Sequence, residues 1–251
     1  MSSRRTYEDA AFTLIELLTL TAIVGVLAVL VVATARHSQG PAQRAQCANN
    51  LRQLGVALHE FVADNHVYPL FANVDYRHGG YPAHLENWID ALEHEKVASR
   101  PGKTFFETGV WHCPTAFRPP DFPTNAMFMS YGYNAYGLDV MGDPVSLGLG
   151  GHRIGIYPQT LAPPVKESEV AAPGDMMAIG DVFHGGVVFW RDVQMAGSGM
   201  AAARHQGGAN VVFCDNHVES LKVKSLLAGT NNAVLARWNH DHLPHRERLS
   251  P

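Results

Sequence analysis

The chain has 251 residues and carries 19 Lys and Arg against 23 Asp and Glu, a formal net charge of −4 with histidines neutral. So small an acidic excess, with no block of basic residues, argues against nucleic acid and against an acidic membrane surface as partners. Three cysteines, Cys47, Cys113 and Cys214, lie far apart with no Cys-x-x-Cys pair, which argues against a zinc site built on thiolates; the odd count allows one disulfide with one thiol left over, or none.

The first element in chain order is the apolar run from Ala11 to Ala35, AFTLIELLTLTAIVGVLAVLVVATA, broken only by Glu16. From Leu17 to Ala35 no residue is charged, and about 19 residues at helical rise approach the roughly 30 Å of a hydrocarbon core. A bilayer span is therefore expected. An ionisable group in such a span costs on the order of 2.5–3.5 kcal/mol, so Glu16 reads as functional, with a partner to be found. Arg4 and Arg5 precede the run and Arg36 and Arg44 follow it, so charge alone leaves the orientation tied.

A second helical pattern follows, with Leu51, Leu54, Leu58 and Phe61 at spacings of three and four. Gly40-Pro41 predicts a kink or short break between the two, with Pro41 restarting the helix in its first turn. From Pro69 to Pro164 the many Gly, Pro, Tyr and Asn residues, as in Ser130-Tyr-Gly-Tyr-Asn-Ala-Tyr136, predict irregular chain with a few strands. Arg204 to Leu221 reads as a β-hairpin: Asn210 to Cys214, a two-residue type I′ turn at Asp215-Asn216, and a return from His217. That register sets Phe213 opposite Val218, Val212 opposite Glu219 and Val211 opposite Ser220. The histidine-rich Asn239 to His245 falls in a polar tail, residues 236 to 251, expected to be solvated and mobile.

The residues Ala11-Phe12-Thr13-Leu14-Ile15-Glu16 resemble the signature of type IV prepilins and type II secretion pseudopilins, a small residue followed by Phe-Thr-Leu-Ile-Glu and an apolar helix. The resemblance implies a cut by prepilin peptidase between Ala11 and Phe12, methylation of the new N-terminal Phe12, and assembly through Glu16, whose carboxylate pairs with the amine of a neighbouring subunit. Two charges that are each costly in lipid satisfy one another in such a pair. The family usually has Gly where this chain has Ala11. The resemblance also resolves the orientation, with the leader cytoplasmic and everything after Ala35 in the periplasm or at the cell surface. The Arg204-His-Gln-Gly-Gly-Ala-Asn hairpin, with His205 ten positions before Asp215, is similar to a C-terminal motif of prepilin-like proteins in which Asp-Gly stands where this chain has Asp215-Asn216. Further matches are Gln46-Cys47-Ala-Asn-Asn-Leu51, Trp111-His-Cys113-Pro114, Ser130-Tyr-Gly-Tyr-Asn134, and Pro173-Gly-Asp175 leading to Gly180-Asp181.

Asp181, His205, Asp215 and His217 are the candidate metal ligands, oxygens suiting Ca²⁺ and imidazoles Zn²⁺. In the major pseudopilin of type II secretion, which this chain resembles in plan, a Ca²⁺ orders the C-terminal loop. The competing role for these side chains is structural hydrogen bonding. No Gly-x-Ser-x-Gly, His-Glu-x-x-His or phosphate-loop context occurs, so no enzyme is expected. The expected fold is α+β: leader 1–11, transmembrane helix 12–35, its amphipathic continuation 36–65, a β-rich domain 66–235 on an antiparallel sheet with loop-rich insertions, and the tail. The expected function is that of a single-pass inner-membrane subunit of a pseudopilus or related filament, whose partners are prepilin peptidase and other pilin-like subunits. The rival is a membrane-tethered binding module whose aromatics Tyr76, Tyr81, Trp88, Tyr131, Tyr133 and Tyr136 hold sugar.

Overall fold

A computed structural model describes residues 13–71, 88–94, 109–116, 129–138, 146–150, 164–183 and 204–249, with 189, 191, 194 and 197–200. The leader, the Ala11–Phe12 junction, Tyr76 and Tyr81 lie outside the described residues. Two compact units divide at Ala42/Gln43.

Helix α1, Leu14–Asn65, begins in the first unit and ends in the second. It is assigned without a break, and Pro41 stands inside it. The expected restart at Pro41 is therefore corrected: a helix passes a proline by giving up one backbone bond when its neighbouring turns are intact. In the first unit the large apolar side chains from Leu14 to Leu30 are all between 54% and 80% exposed. Among the described residues, which omit the side chains of 31–39, no helix is long and apolar enough to cross a membrane.

The second unit is α+β. Its sheet is antiparallel with strand order β1-β2-β3-β4: β1 Tyr131–Tyr133, β2 Met177–Asp181, β3 Gly208–Phe213 and β4 Val218–Lys222. The predicted stripe of α1, Leu51, Leu54, Leu58 and Phe61, is buried in one cluster with Tyr131, Tyr133, Ala178, Ile179 and Val212. Alternate residues of β3, Ala209, Val211 and Phe213, join a second cluster with α2 (Val223–Ala228) and α3 (Asn232–Ala236) through Val223, Leu226, Leu227 and Leu235. With both faces covered, all of β3 is buried and its sequence reads as a continuous run rather than an alternation. An irregularity between Met177 and Ile179 in β2 puts the neighbours Ala178 and Ile179 in the same cluster, as an extra residue in one strand does.

The hairpin forms with a different turn. Val212 pairs with Val218, Val211 with Glu219 and Asn210 with Ser220, one residue off the expected register. Phe213 N–H donates to His217 O and Asn216 N–H to Phe213 O, so the loop is Cys214-Asp215-Asn216. Of these only Asn216 is left-handed, at φ 72°. Three-residue loops of this kind end in one left-handed residue where a type I′ turn needs two, so the two-residue expectation is corrected to a loop with Asn216 alone at positive φ. Asn216 packs on α1 at Gly55, where a Cβ would collide with Asn216 Oδ1 and stand 2.5 Å from Val212 Cγ2. A glycine inside a helix is destabilising by about 0.5–1 kcal/mol, and the close approach of the hairpin explains its presence.

The start of the tail, Ala236 to Asn239, is packed rather than solvated, while Leu243, Arg246 and Glu247 are exposed. Trp238 and Asn239 are fully buried, the Trp238 ring centroid 4.8 Å from that of Phe189. Asn239 Nδ2 donates to Leu243 O and its Oδ1 accepts from Leu138 N–H, while Asn134 Nδ2 donates to both Met177 O and Trp238 O. Leu235 and Trp238, three residues apart, anchor a stretch whose backbone polar groups are met by buried amides. Its isolated apolar residues show no period in the sequence.

Candidate functional site: a buried Asp-Arg-His cluster at the Cys47–Cys113 bridge

Cys47 on the sheet-facing side of α1 is bonded to Cys113, and Cys214 remains a free, buried thiol. Cys113 follows the 3-10 turn Gly109–Trp111, and its N–H donates to Ser130 Oγ at 3.0 Å. One helical turn from Cys47, Asn50 Nδ2 donates to His112 O at 2.7 Å and to Tyr131 Oη at 3.4 Å. The bridge is therefore tied to the start of β1 on both sides.

Beside it lie Asp181, Arg204 and His205, each at most 5% exposed. Asp181 ends β2 and pairs with Tyr131 across the sheet, which sets its carboxylate next to Ser130. Arg204 Nη2 donates to Asp181 Oδ1 at 2.7 Å and to Ser130 O at 2.8 Å, and Nη1 donates to Val182 O. Asp181 Oδ2 accepts from Asn210 N–H at 2.7 Å and stands 3.2 Å from His205 Nε2. Both carboxylate oxygens are thus occupied. An uncompensated charge this deep would cost several kcal/mol, so Arg204 and Asp181 explain one another. His205 has φ 48° and is followed by Gln206 and Gly207, also at positive φ. A non-glycine residue is held there only where its surroundings over-determine it. The surroundings here are Asp181, Thr115 Oγ1 at 3.3 Å from Nδ1, and Cys113 Sγ at 3.4 Å from Nε2.

No family model, curated protein or solved structure matches the chain.

The segments quoted for the pilin-like resemblance meet around this one cluster: Cys47 and Asn50, Trp111 to Cys113, Ser130 to Asn134, Gly180-Asp181 and Arg204-His205. What they do chemically is hold five separated stretches of chain together. Of the four sequence-predicted ligands, Asp181 lies with His205, while Asp215 lies with His217, whose Nδ1 is 2.6 Å from Asp215 Oδ1. Among the described residues the four do not form one group of converging ligand atoms.

The Asp215–His217 pair belongs to a half-exposed network. His217 Nε2 reaches Glu219 Oε1 at 3.2 Å, and Arg237 bridges Glu219 and Asp175 at 2.8 and 2.7 Å. The Phe213 ring is stacked on His217 at 4.4 Å, with Arg237 4.5 Å from the Phe213 centroid. Partial burial raises the Asp215 carboxyl, but hydrogen bonds and charge from His217 outweigh it and hold the carboxyl below its usual value.

At the other end of the chain Glu16 Oε2 accepts from Thr13 N–H at 2.8 Å and Thr13 Oγ1 at 2.7 Å, while Glu16 N–H donates to Thr13 Oγ1 at 3.3 Å. This is a reciprocal capping box at the start of α1. Thr13-x-x-Glu16 carried that signal in the sequence, beneath the stronger membrane pattern. Arg204 and Thr115 were also missed, although an arginine beside a motif histidine needs a carboxylate as soon as both are buried. Among the aromatics of the sugar-binding alternative, Trp88, Tyr131, Tyr133 and Tyr136 are at most 3% exposed, Trp88 stacked on Tyr133 at 5.4 Å. They form core and offer no face to a sugar.

Proposed function

We propose that the chain is a pilin-like subunit of a pseudopilus or related filament, processed by prepilin peptidase and carried by its N-terminal helix in the inner membrane, in the manner of type II secretion. The observation that carries this is the Ala11-Phe-Thr-Leu-Ile-Glu16 signature at the head of a helix whose large apolar side chains from Leu14 to Leu30 are all more than half exposed. So much exposed apolar surface on one helix calls for lipid or neighbouring helices around it. The α+β unit that follows, with the continuation of α1 buried on an antiparallel sheet, is the plan the resemblance implies.

The capping box makes a discriminating experiment available. Glu16→Gln keeps a residue that still caps the helix but removes the charge, while Glu16→Ala removes both. If Glu16 pairs with the Phe12 amine of a neighbour, both variants insert and are cleaved to Phe12 by intact mass, yet both lose sheared polymer by at least about tenfold, an effect beyond a cap's roughly 0.5–2 kcal/mol only if Gln fails as well. Loss in Ala alone would reduce Glu16 to a cap. Parent-level polymer in both would refute the pairing of Glu16 with the Phe12 amine, and a parent that inserts but never polymerises would return the chain to the tethered-module alternative.

A further inference from the structure

The Cys47–Cys113 bridge ends on a histidine. Cys47 Sγ, Cys113 Sγ and a ring nitrogen of His205 lie within 4.8 Å of one another, and all three residues are buried. In a tetrahedral zinc site with bonds of about 2.3 Å to sulfur and 2.0–2.1 Å to nitrogen, a sulfur and a nitrogen ligand stand about 3.6 Å apart. The Cys113 Sγ to His205 Nε2 separation is 3.4 Å. Thr115 Oγ1 faces all three ligand atoms, 3.1 Å from Cys113 Sγ, 4.0 Å from Cys47 Sγ and 3.3 and 3.4 Å from the ring nitrogens. Two sulfurs, one imidazole nitrogen and one hydroxyl oxygen make the donor set of a mixed soft site, for which the two sulfurs, bonded to one another in the disulfide form, move apart once the bridge is reduced.

We propose that the dithiol form of this chain binds one divalent cation of the zinc class through Cys47 Sγ, Cys113 Sγ and His205 Nε2, and that closure of the disulfide expels it.

Charge supports a buried cation here. Two thiolates and a dication sum to zero, and Asp181 is already balanced by Arg204, so the filled site adds no net charge to the core. With Nε2 on the metal, Asp181 Oδ2 keeps the Asn210 N–H, and Nδ1–H is left to donate to Thr115 Oγ1, an outer partner that fixes the ring. The left-handed backbone of His205 is consistent with a ring that is held for a ligand's aim. Cys214 is not a fourth ligand: burial pushes its thiol up to about 12, and it stands outside the group.

The chemistry balances as follows. A dithiol reductant gives two electrons and two protons to the Cys47–Cys113 bond and leaves as its own disulfide; zinc then displaces the two thiol protons. In reverse, a disulfide oxidant takes two electrons from the two thiolates and two protons from solvent, leaves as two thiols, and the cation departs. Either closure ties α1 to the segment that follows the Gly109–Trp111 turn, so the site has a metal-held form and a disulfide-held form of the same junction.

The experiment uses the full chain in detergent, oxidised or reduced with a phosphine, titrated with Zn²⁺ against a chromophoric chelator. The reduced chain should take up one equivalent and the oxidised chain none at the same zinc activity. Cys214→Ala should bind as the parent, and His205→Gln should weaken binding by more than about 100-fold, beyond the loss of an outer-shell partner. Because His205→Gln places a new side chain at a strained position, Co²⁺ is added to the reduced parent in parallel, where thiolate charge-transfer absorption and strong tetrahedral bands are expected. Reduced chain binding zinc no better than oxidised chain, an absent thiolate–cobalt band, or a folded His205→Gln that binds as the parent would each overturn the proposal.

Discussion

Opening the Cys47–Cys113 bridge should cost the second unit about 4 kcal/mol. The bridge closes a ring with a sequence separation of 66, and the loop-entropy relation puts the entropy removed from the unfolded chain at about 15 cal/mol/K, or roughly 4 kcal/mol at 25 °C. The native side should change little, because both cysteines are fully buried and the freed thiols behave as small apolar groups in the same pocket. Against a typical total of about 5–15 kcal/mol this leaves a folded but weakened domain, with a melting temperature lower by roughly 8–16 °C. The assay is urea unfolding of the fragment from Gln43 onward, with and without phosphine, in EDTA so that no metal restores the junction. Trp88, Trp111 and Trp238 are buried and report on both clusters by fluorescence. The denaturant slope should rise on reduction, since an uncrosslinked unfolded chain exposes more surface. A loss under about 1 kcal/mol with reduction verified by mass would refute the reasoning, showing that the unfolded chain is held compact by something other than the bridge.

Asp181→Asn should destabilise the same fragment by about 2 kcal/mol and Asp181→Ala by about 3–5, because Arg204 is left buried without its counter-charge; a cycle with Arg204→Met should return a coupling above about 1 kcal/mol, and additivity would show the pair to be independent. Asn216→Gly should stabilise by about 0.5–1 kcal/mol, removing both the left-handed backbone cost and a buried amide oxygen that has no hydrogen-bond partner among the described residues. Gly55→Ala should cost about 2 kcal/mol or more despite its better helix propensity, and less in the Asn216→Gly background, where the Asn216 side chain is gone and Val212 Cγ2 still meets the new methyl; equal costs in the two backgrounds would place the Gly55 constraint elsewhere.

The cluster also gives the motif residues a physical meaning. Ser130, Asp181 and Arg204 come from three stretches that are distant in sequence, and the guanidinium reaches a backbone carbonyl or carboxylate of each neighbour. A buried polar network with every strong charge matched rigidifies and specifies one arrangement of the strands it joins. The half-exposed network at Asp215, His217, Glu219 and Arg237 is of another kind, with its charges screened by water and worth correspondingly less per pair.

What the sequence by itself determined was local and periodic. The stripe Leu51, Leu54, Leu58 and Phe61 specified which face of α1 would be buried, because a 3.6-residue period needs only its own helix to be read. The β-formers around Asp215-Asn216 specified a hairpin, and Thr13-x-x-Glu16 specified a cap. Tertiary structure decided whatever depended on a partner distant along the chain. The hairpin register moved by one because the turn answers to Phe213, His217 and the helix at Gly55 together, and register is a property of two strands and what they pack on. The choice of Cys47 with Cys113 over Cys214 required α1 and the Gly109–Trp111 turn to be placed side by side. The tail docked because Asn134 and Asn239 supply hydrogen bonds across about a hundred residues, an exchange that no window of sequence contains. The burial that turns Asp181, Arg204 and His205 from polar residues into a single matched cluster exists only once the sheet has closed over them, since desolvation is a property of the assembled core and not of any residue in it.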